Sequence, residues 1–177
     1  LRMTDTSFYI DDANRKSRLA ELYIPHPETG VATPAPAFLR RPERPSMLSG
    51  GGGLYGTAAD YLRFCQMILN GGSLNSEQVI GRHTLDYMGK NHLPGNVDLE
   101  TIGRPLFAES AFVGVGFGLG FSVVIDAVAS KVPSSTGEMA WGGAASTAFW
   151  VDPTEELAVV FLTQLLPSST HLSLIHI

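Results

Sequence analysis

The sequence holds a single cysteine, Cys65, so no disulfide can close within the chain. That permits a reducing compartment without requiring one. No apolar run is long enough to span a bilayer, and the opening residues show no charged-then-apolar signal segment. Positive charge is in deficit: 12 Lys and Arg stand against 17 Asp and Glu, a net charge of -5. With no basic stripe to offset it, that balance argues against non-specific nucleic-acid binding. Complete catalytic signatures are missing as well. There is no Ser-x-x-Lys, no Gly-x-Ser-x-Gly, no Tyr-x-Asn, no His-Glu-x-x-His and no cysteine pair. His83 and His92 lie nine apart without a carboxylate at metal spacing, so they read as solvated side chains. No metal and no cofactor is expected.

What remains is an apolar-rich chain of 177 residues, 44% hydrophobic, enough for one domain or part of a larger one with a real core. The polar stretch 10–20 reads as a solvated face, and Leu19 to Ile24 as a short strand. Pro25 to Pro45 reads as irregular, because proline lacks the ladder donor. Arg40, Arg41 and Arg44 within it read as scattered surface charges. Ser49-Gly50-Gly51-Gly52-Gly53-Leu54 lacks the Lys-Ser or Lys-Thr of a phosphate loop, which excludes nucleotide binding there.

The clearest helix follows. Thr57 and Asp60 form a capping-box pattern. Tyr61, Phe64, Cys65, Ile68 and Leu69 then repeat at helical spacing, and Gly71-Gly72 supplies the stop. Cys65 on that face reads as a small core residue. Arg82 to Lys90 suggests a shorter helix with Leu85 and Met88 on one side. Gly116-Phe117-Gly118-Leu119-Gly120-Phe121 leads into a strand over Ser122 to Asp126. The alternating glycines suit close approach by a neighbouring backbone. Residues 127–136 read as a loop. Helical material followed by strands predicts an α+β fold with an antiparallel sheet at its C-terminal end.

The stretch of chemical interest is Gly137-Glu138-Met139-Ala140-Trp141-Gly142-Gly143-Ala144-Ala145. Ala145 to Val151 and Leu157 to Thr163 read as two buried strands joined by the turn at Asp152-Pro153. Adjacent glycines before a strand allow a ligand or another chain segment to approach the backbone closely. The same pair could equally be a bend where a sheet turns a corner.

A resemblance gives that stretch its meaning. Leu1-Arg2-Met3-Thr4-Asp5-Thr6-Ser7-Phe8, Ser49 to Leu54 with Thr57 to Phe64, Gly118-Leu119-Gly120-Phe121, and Trp141-Gly142-Gly143 with Phe149-Trp150-Val151-Asp152-Pro153 occur in the order of one family. Together they resemble the C-terminal part of the serine β-lactamase-related family. Within it the chain is most similar to carboxylesterases that look like class C β-lactamases.

The resemblance implies a β-lactamase/penicillin-binding-protein-like fold, with part of the helical region before residue 116 and sheet strands over 116–166. Residues 1–166 would be the C-terminal part of the domain, and residues 167–177 a truncated or non-native tail. It implies a serine hydrolase that cleaves carboxylic esters through an acyl-enzyme, its Ser-x-x-Lys and tyrosine motifs lying upstream of Leu1. The chain alone would then be inactive. Trp141, Gly142 and Gly143 would be the third motif, facing substrate. The backbone amide of Ala144 would be one oxyanion donor, worth roughly 3 kcal/mol to the transition state. The partner would be a small-molecule ester or lactam. A β-lactamase or D-alanyl-D-alanine peptidase-like enzyme, or a non-catalytic binding protein of the same fold, are the alternatives. The compartment, cytoplasmic or periplasmic, and the oligomeric state are left open.

Overall fold

A computed structural model describes residues 1–40, 42–103 and 112–168. The polar opening contains a short helix, α1 (Ala13–Ser17), capped by the Asp12 carboxylate accepting from the Asn14 amide. Near it Arg18 and Arg15 reach the Asp5 carboxylate at 2.7 and 3.6 Å. The strand expected over Leu19 to Ile24 is shorter and later: β1 (Tyr23–Pro25). It pairs antiparallel with β2 (Ala32–Pro34), which corrects the reading of Pro25 to Pro45 as wholly irregular. The prolines are tolerated because they sit at the ends of three-residue strands, where a missing donor costs least.

The glycine loop ends at α2 (Ala58–Leu69), whose N-cap Thr57 hydroxyl accepts from the Asp60 amide at 3.2 Å. The Asp60 carboxylate does not close a capping box. It accepts from the Asp5 amide and the Thr6 hydroxyl, both at 2.8 Å, and so ties the opening segment to the helix. Gly71 and Gly72, at φ +67° and +96°, stop the helix in a conformation that side chains rarely adopt. A two-residue hairpin, β3 (Ser73–Leu74) and β4 (Glu77–Gln78), leads to α3 (Arg82–Met88) and the single turn α4 (Leu99–Ile102).

The rest is an antiparallel meander: β5 (Val115–Phe117), β6 (Ser122–Val124), β7 (Met139–Gly143), β8 (Thr147–Asp152) and β9 (Leu157–Phe161), hydrogen-bonded in that order. A short helix, α5 (Ala127–Ser130), interrupts the expected 127–136 loop. The Gly-x-Gly-x-Gly stretch is a hairpin and not the lead into one strand. Gly118 donates to the Phe121 carbonyl at 2.8 Å, and Gly120 has φ +103°. The close approach expected of it is present, since a side chain at Gly118 would collide with the Met88 carbonyl.

The core lies between α2 and one face of this sheet. Cys65, Met67 and Ile68 of α2 meet Phe149 and Val151 of β8, with Leu85, Phe121, Val123 and Met139 completing the cluster. Tilted aromatic pairs join the layers: Tyr61 to Phe149 at 5.0 Å and Phe64 to Phe121 at 6.3 Å between ring centres. This is the expected α+β arrangement, with the antiparallel sheet at the C-terminal end. The longest helix packs directly on that sheet. Of the tail expected over 167–177, residues 169–177 lie outside the described residues.

Candidate active site at the Trp141 to Ala144 edge

Strand β7 has unequal neighbours. It pairs with β8 along all of Met139 to Gly143, but with β6 only at Met139 and Ala140. Among the described residues, Trp141 to Gly143 therefore has a β partner on one side only. The glycines do not bend the sheet at a corner; they continue the strand into a hairpin. A side chain at Gly142 would come no closer than 3.5 Å to the Thr147 carbonyl, whereas one at Gly143 would collide with the Thr147 hydroxyl. Gly143 thus permits the tight entry to the turn, and Gly142 leaves the sheet face beside Trp141 without a side chain.

Ala144, Ala145 and Ser146 form the loop. The Ser146 amide donates to the Gly143 carbonyl at 3.1 Å, and Ser146 sits at φ +57°. That is a tight turn followed by a left-handed residue, a common three-residue hairpin connection. Ala144 is exposed, and among the described residues its amide donates to no acceptor. The carbonyls behind it are fully used. Ala145 O accepts from the Leu165 amide at 3.1 Å and lies 3.1 Å from the Thr163 hydroxyl. Ser146 O lies 2.6 Å from the same hydroxyl, and the Ser146 hydroxyl donates to Leu165 O at 2.9 Å.

Trp141 is 42% exposed, its indole meeting the Phe117 ring edge-on at 5.0 Å. Beside it runs a groove of about 130 Å³ lined by Tyr61, Trp141, Gly142, Gly143, Phe149 and Leu162 among others. Burial, with a smaller contribution from Cys65, pushes the Tyr61 phenol up to about 12, so it faces the groove as a neutral hydroxyl. A larger cavity of about 570 Å³ lies at the other end of β7, between the end of α2 and α3, near Met139 and Pro153. Its lining does not include Trp141, Gly142, Gly143 or Ala144, so size does not mark the site here.

Two carboxylates stand at the base of β7. Asp152, almost wholly buried, accepts from the amides of Ser135, Thr154 and Glu155 at 3.2, 2.9 and 3.2 Å. Burial alone would raise its pKa, but hydrogen bonds from Ser135, Glu155 and Thr154 outweigh that and hold it low. Glu138 is pushed up to about 7, first by burial and then by the charge of Asp152.

The structure brings Trp141, Gly142, Gly143 and Ala144 together as one continuous edge. The sequence reading missed the hydroxyl and backbone groups behind that edge. Thr163 closes the expected strand, and nothing in its local pattern marks a contact with a loop seventeen residues earlier. Tyr61 belongs to the apolar face of the helix, and it also lines the groove. Cys65 is fully buried, as expected, and burial pushes its thiol up to about 11. His92 is not simply solvated. Its Nε2 lies 2.8 Å from the Tyr87 carbonyl, and its ring meets the Tyr87 ring. Arg40 pairs with Glu21 at 2.6 Å and Arg44 stacks over Tyr9, while Arg41 lies outside the described residues. Among the described residues, no three His, Cys, Asp or Glu side chains are grouped to hold a metal ion.

Comparison with known proteins agrees with this architecture. Two Mycobacterium tuberculosis proteins, Protein Rv1367c and Uncharacterized protein MT1414, are each 32% identical over 176 residues. The match takes in 93% of this chain and 40% of the length of each relative. Among solved structures, EstCE1, described as a hydrolase with promiscuous acyltransferase activity, superposes with a TM-score of 0.67 at 26% identity, over 93% of this chain and 42% of its own. The unliganded simvastatin synthase LovD of Aspergillus terreus, as its selenomethionyl derivative, shares the fold with a TM-score of 0.75 at 17% identity, over 96% of this chain and 44% of its own. The β-lactamase family model matches residues 1–174. On fold and family match together, the chain belongs to the β-lactamase family.

Proposed function

We propose that this chain supplies the sheet side of the active site of a serine hydrolase that cleaves carboxylic esters through an acyl-enzyme. The observation that carries the reading is the unused Ala144 amide at the end of a strand with an open side, next to a groove. An exposed strand edge can take an extended substrate, and a backbone amide at its end can stabilise a developing oxyanion. The nucleophilic serine and its proton acceptor come from outside the chain. In the reaction the serine oxygen attacks the ester carbonyl, charge collects on the carbonyl oxygen, and the Ala144 N–H donates to it. The alcohol leaves with a proton, and water then releases the acid.

Trp141 sets the preference. It offers an apolar face and one N–H donor, with no fixed positive charge to pair with the carboxylate of a β-lactam. Neutral esters are therefore favoured over lactams. The likeness to EstCE1 supports the esterase branch.

The test is Ala144→Pro in the longer protein that carries this chain. Ala144 follows the residue whose carbonyl closes the turn, a position that accepts proline. The substitution removes the N–H while suiting the loop. The expected outcome is a fall in kcat of about 10²–10³ on a chromogenic short-chain ester, with an unchanged melting temperature. An unaffected kcat would remove Ala144 from the mechanism. Faster acylation by a β-lactam than by the ester would favour the lactam-directed reading.

A further inference from the structure

We propose that Thr163 is a positioning residue for the oxyanion amide, acting through a clamp that joins the segment after β9 to the β7–β8 hairpin. The inference rests on the reading of Ala144 given above. The Gly143 carbonyl and the Ala144 N–H belong to one planar trans peptide unit and point in opposite directions. Whatever holds that carbonyl therefore aims that N–H. The holder is the Ser146 amide, 3.1 Å from the carbonyl. Ser146 is in turn in a left-handed conformation, φ +57°, that a residue with a side chain keeps only when its surroundings enforce it.

Contacts from residues 163–165 enforce it, with the single Thr163 hydroxyl proton shared between two carbonyls and closest to Ser146 O. The Thr163 hydroxyl reaches Ala145 O and Ser146 O, the Leu165 amide donates to Ala145 O, and Leu165 O receives the Ser146 hydroxyl. The clamp is anchored at its far side. The Tyr23 amide donates to Gln164 O at 2.7 Å, and the Leu166 amide to Tyr23 O at 2.9 Å, forming a parallel bridge between β1 and Leu165. The Gly143, Ala145 and Ser146 carbonyls are thus tied down, while among the described residues the Ala144 amide, on the far side of the peptide unit from the Gly143 carbonyl, stays unengaged. Such an arrangement meets the geometric demand on an oxyanion donor, which has to be in place before charge develops. Thr163 itself touches neither substrate nor reacting atom; it acts through Ser146.

The experiment pairs Thr163→Val with Thr163→Ser. In the longer protein, the valine variant should lower kcat on a chromogenic ester by about tenfold to a hundredfold, the scale of a small misplacement of a reacting group. KM should stay within about twofold, because ground-state contacts are untouched. The serine variant keeps the hydroxyl and should recover most of the loss. In this chain, a nitrogen–proton correlation spectrum should show the Ala144 amide signal moved in the valine variant and restored in the serine one. Ser146→Gly suits the positive φ and removes the bond to Leu165. It should lower kcat on its own, and it serves if the valine variant does not fold.

The proposal is overturned if the valine variant keeps both the wild-type kcat and the wild-type Ala144 signal. It is also overturned if serine and valine are equally impaired. Absence of ester hydrolysis in the unsubstituted longer protein refutes the reading of the site instead. The clamp is then judged by the Ala144 signal alone.

Discussion

At the residue scale, Glu138 couples the base of β7 to pH. Its carboxyl is raised from 4.5 to about 7 in the folded protein, by burial and by Asp152. Between those values the folded chain holds a proton that the unfolded chain has released. Stability therefore falls as pH rises from about 4.5 to about 7 and levels off above it. Asp152 works in the opposite sense. It is held low, so its contribution is present at neutral pH and is lost in acid, as pH falls through its folded value. Urea midpoints at pH 5 and pH 8 check the first effect. The midpoint should be lower at the higher pH, and Glu138→Gln should shrink the difference. An identical pH dependence in the glutamine variant would show that another group titrates.

At the element scale, α2 is held at its N-terminal end by two side chains. Thr57 caps it, and the Asp60 carboxylate in its first turn receives two hydrogen bonds from residues 5 and 6. Asp60→Ala removes both and leaves the Thr6 hydroxyl and Asp5 amide without that acceptor. The expected loss is about 1–3 kcal/mol in urea denaturation, with the slope unchanged.

This helix was legible in the sequence because cap, apolar period and glycine stop all lie within one short stretch. The β8–β9 hairpin was legible for the same reason. The β1–β2 hairpin was not, because its strands are three residues long and bounded by Pro25 and Pro34, which argue locally against any strand. The glycine edge at Trp141 to Gly143 could be seen from sequence as either a bend or an open strand. Only the short register with β6 decides it for the strand. The clamp from Thr163 and Leu165 depends on how the chain returns past the hairpin, and no local pattern encodes that.

At the scale of the whole molecule, the proposed reading makes the chain one wall of a site. It holds the open edge and the unengaged amide, and it spans 40% of the length of the curated relatives it matches. On the proposed reading the purified chain, mixed with a chromogenic short-chain ester, should show neither turnover nor a burst of acylation. Covalent labelling of a serine in this chain by such an ester would contradict that assignment. Cys65 offers a practical way to follow the assembly of this wall. Its sulfur is sealed between α2 and the sheet, and burial keeps the thiol protonated at neutral pH. A thiol-modifying reagent can reach it only when the helix lifts away, so the rate of modification times that opening. One natural side chain thus serves as a clock for the separation of the helix from the sheet that carries the Trp141 to Ala144 edge.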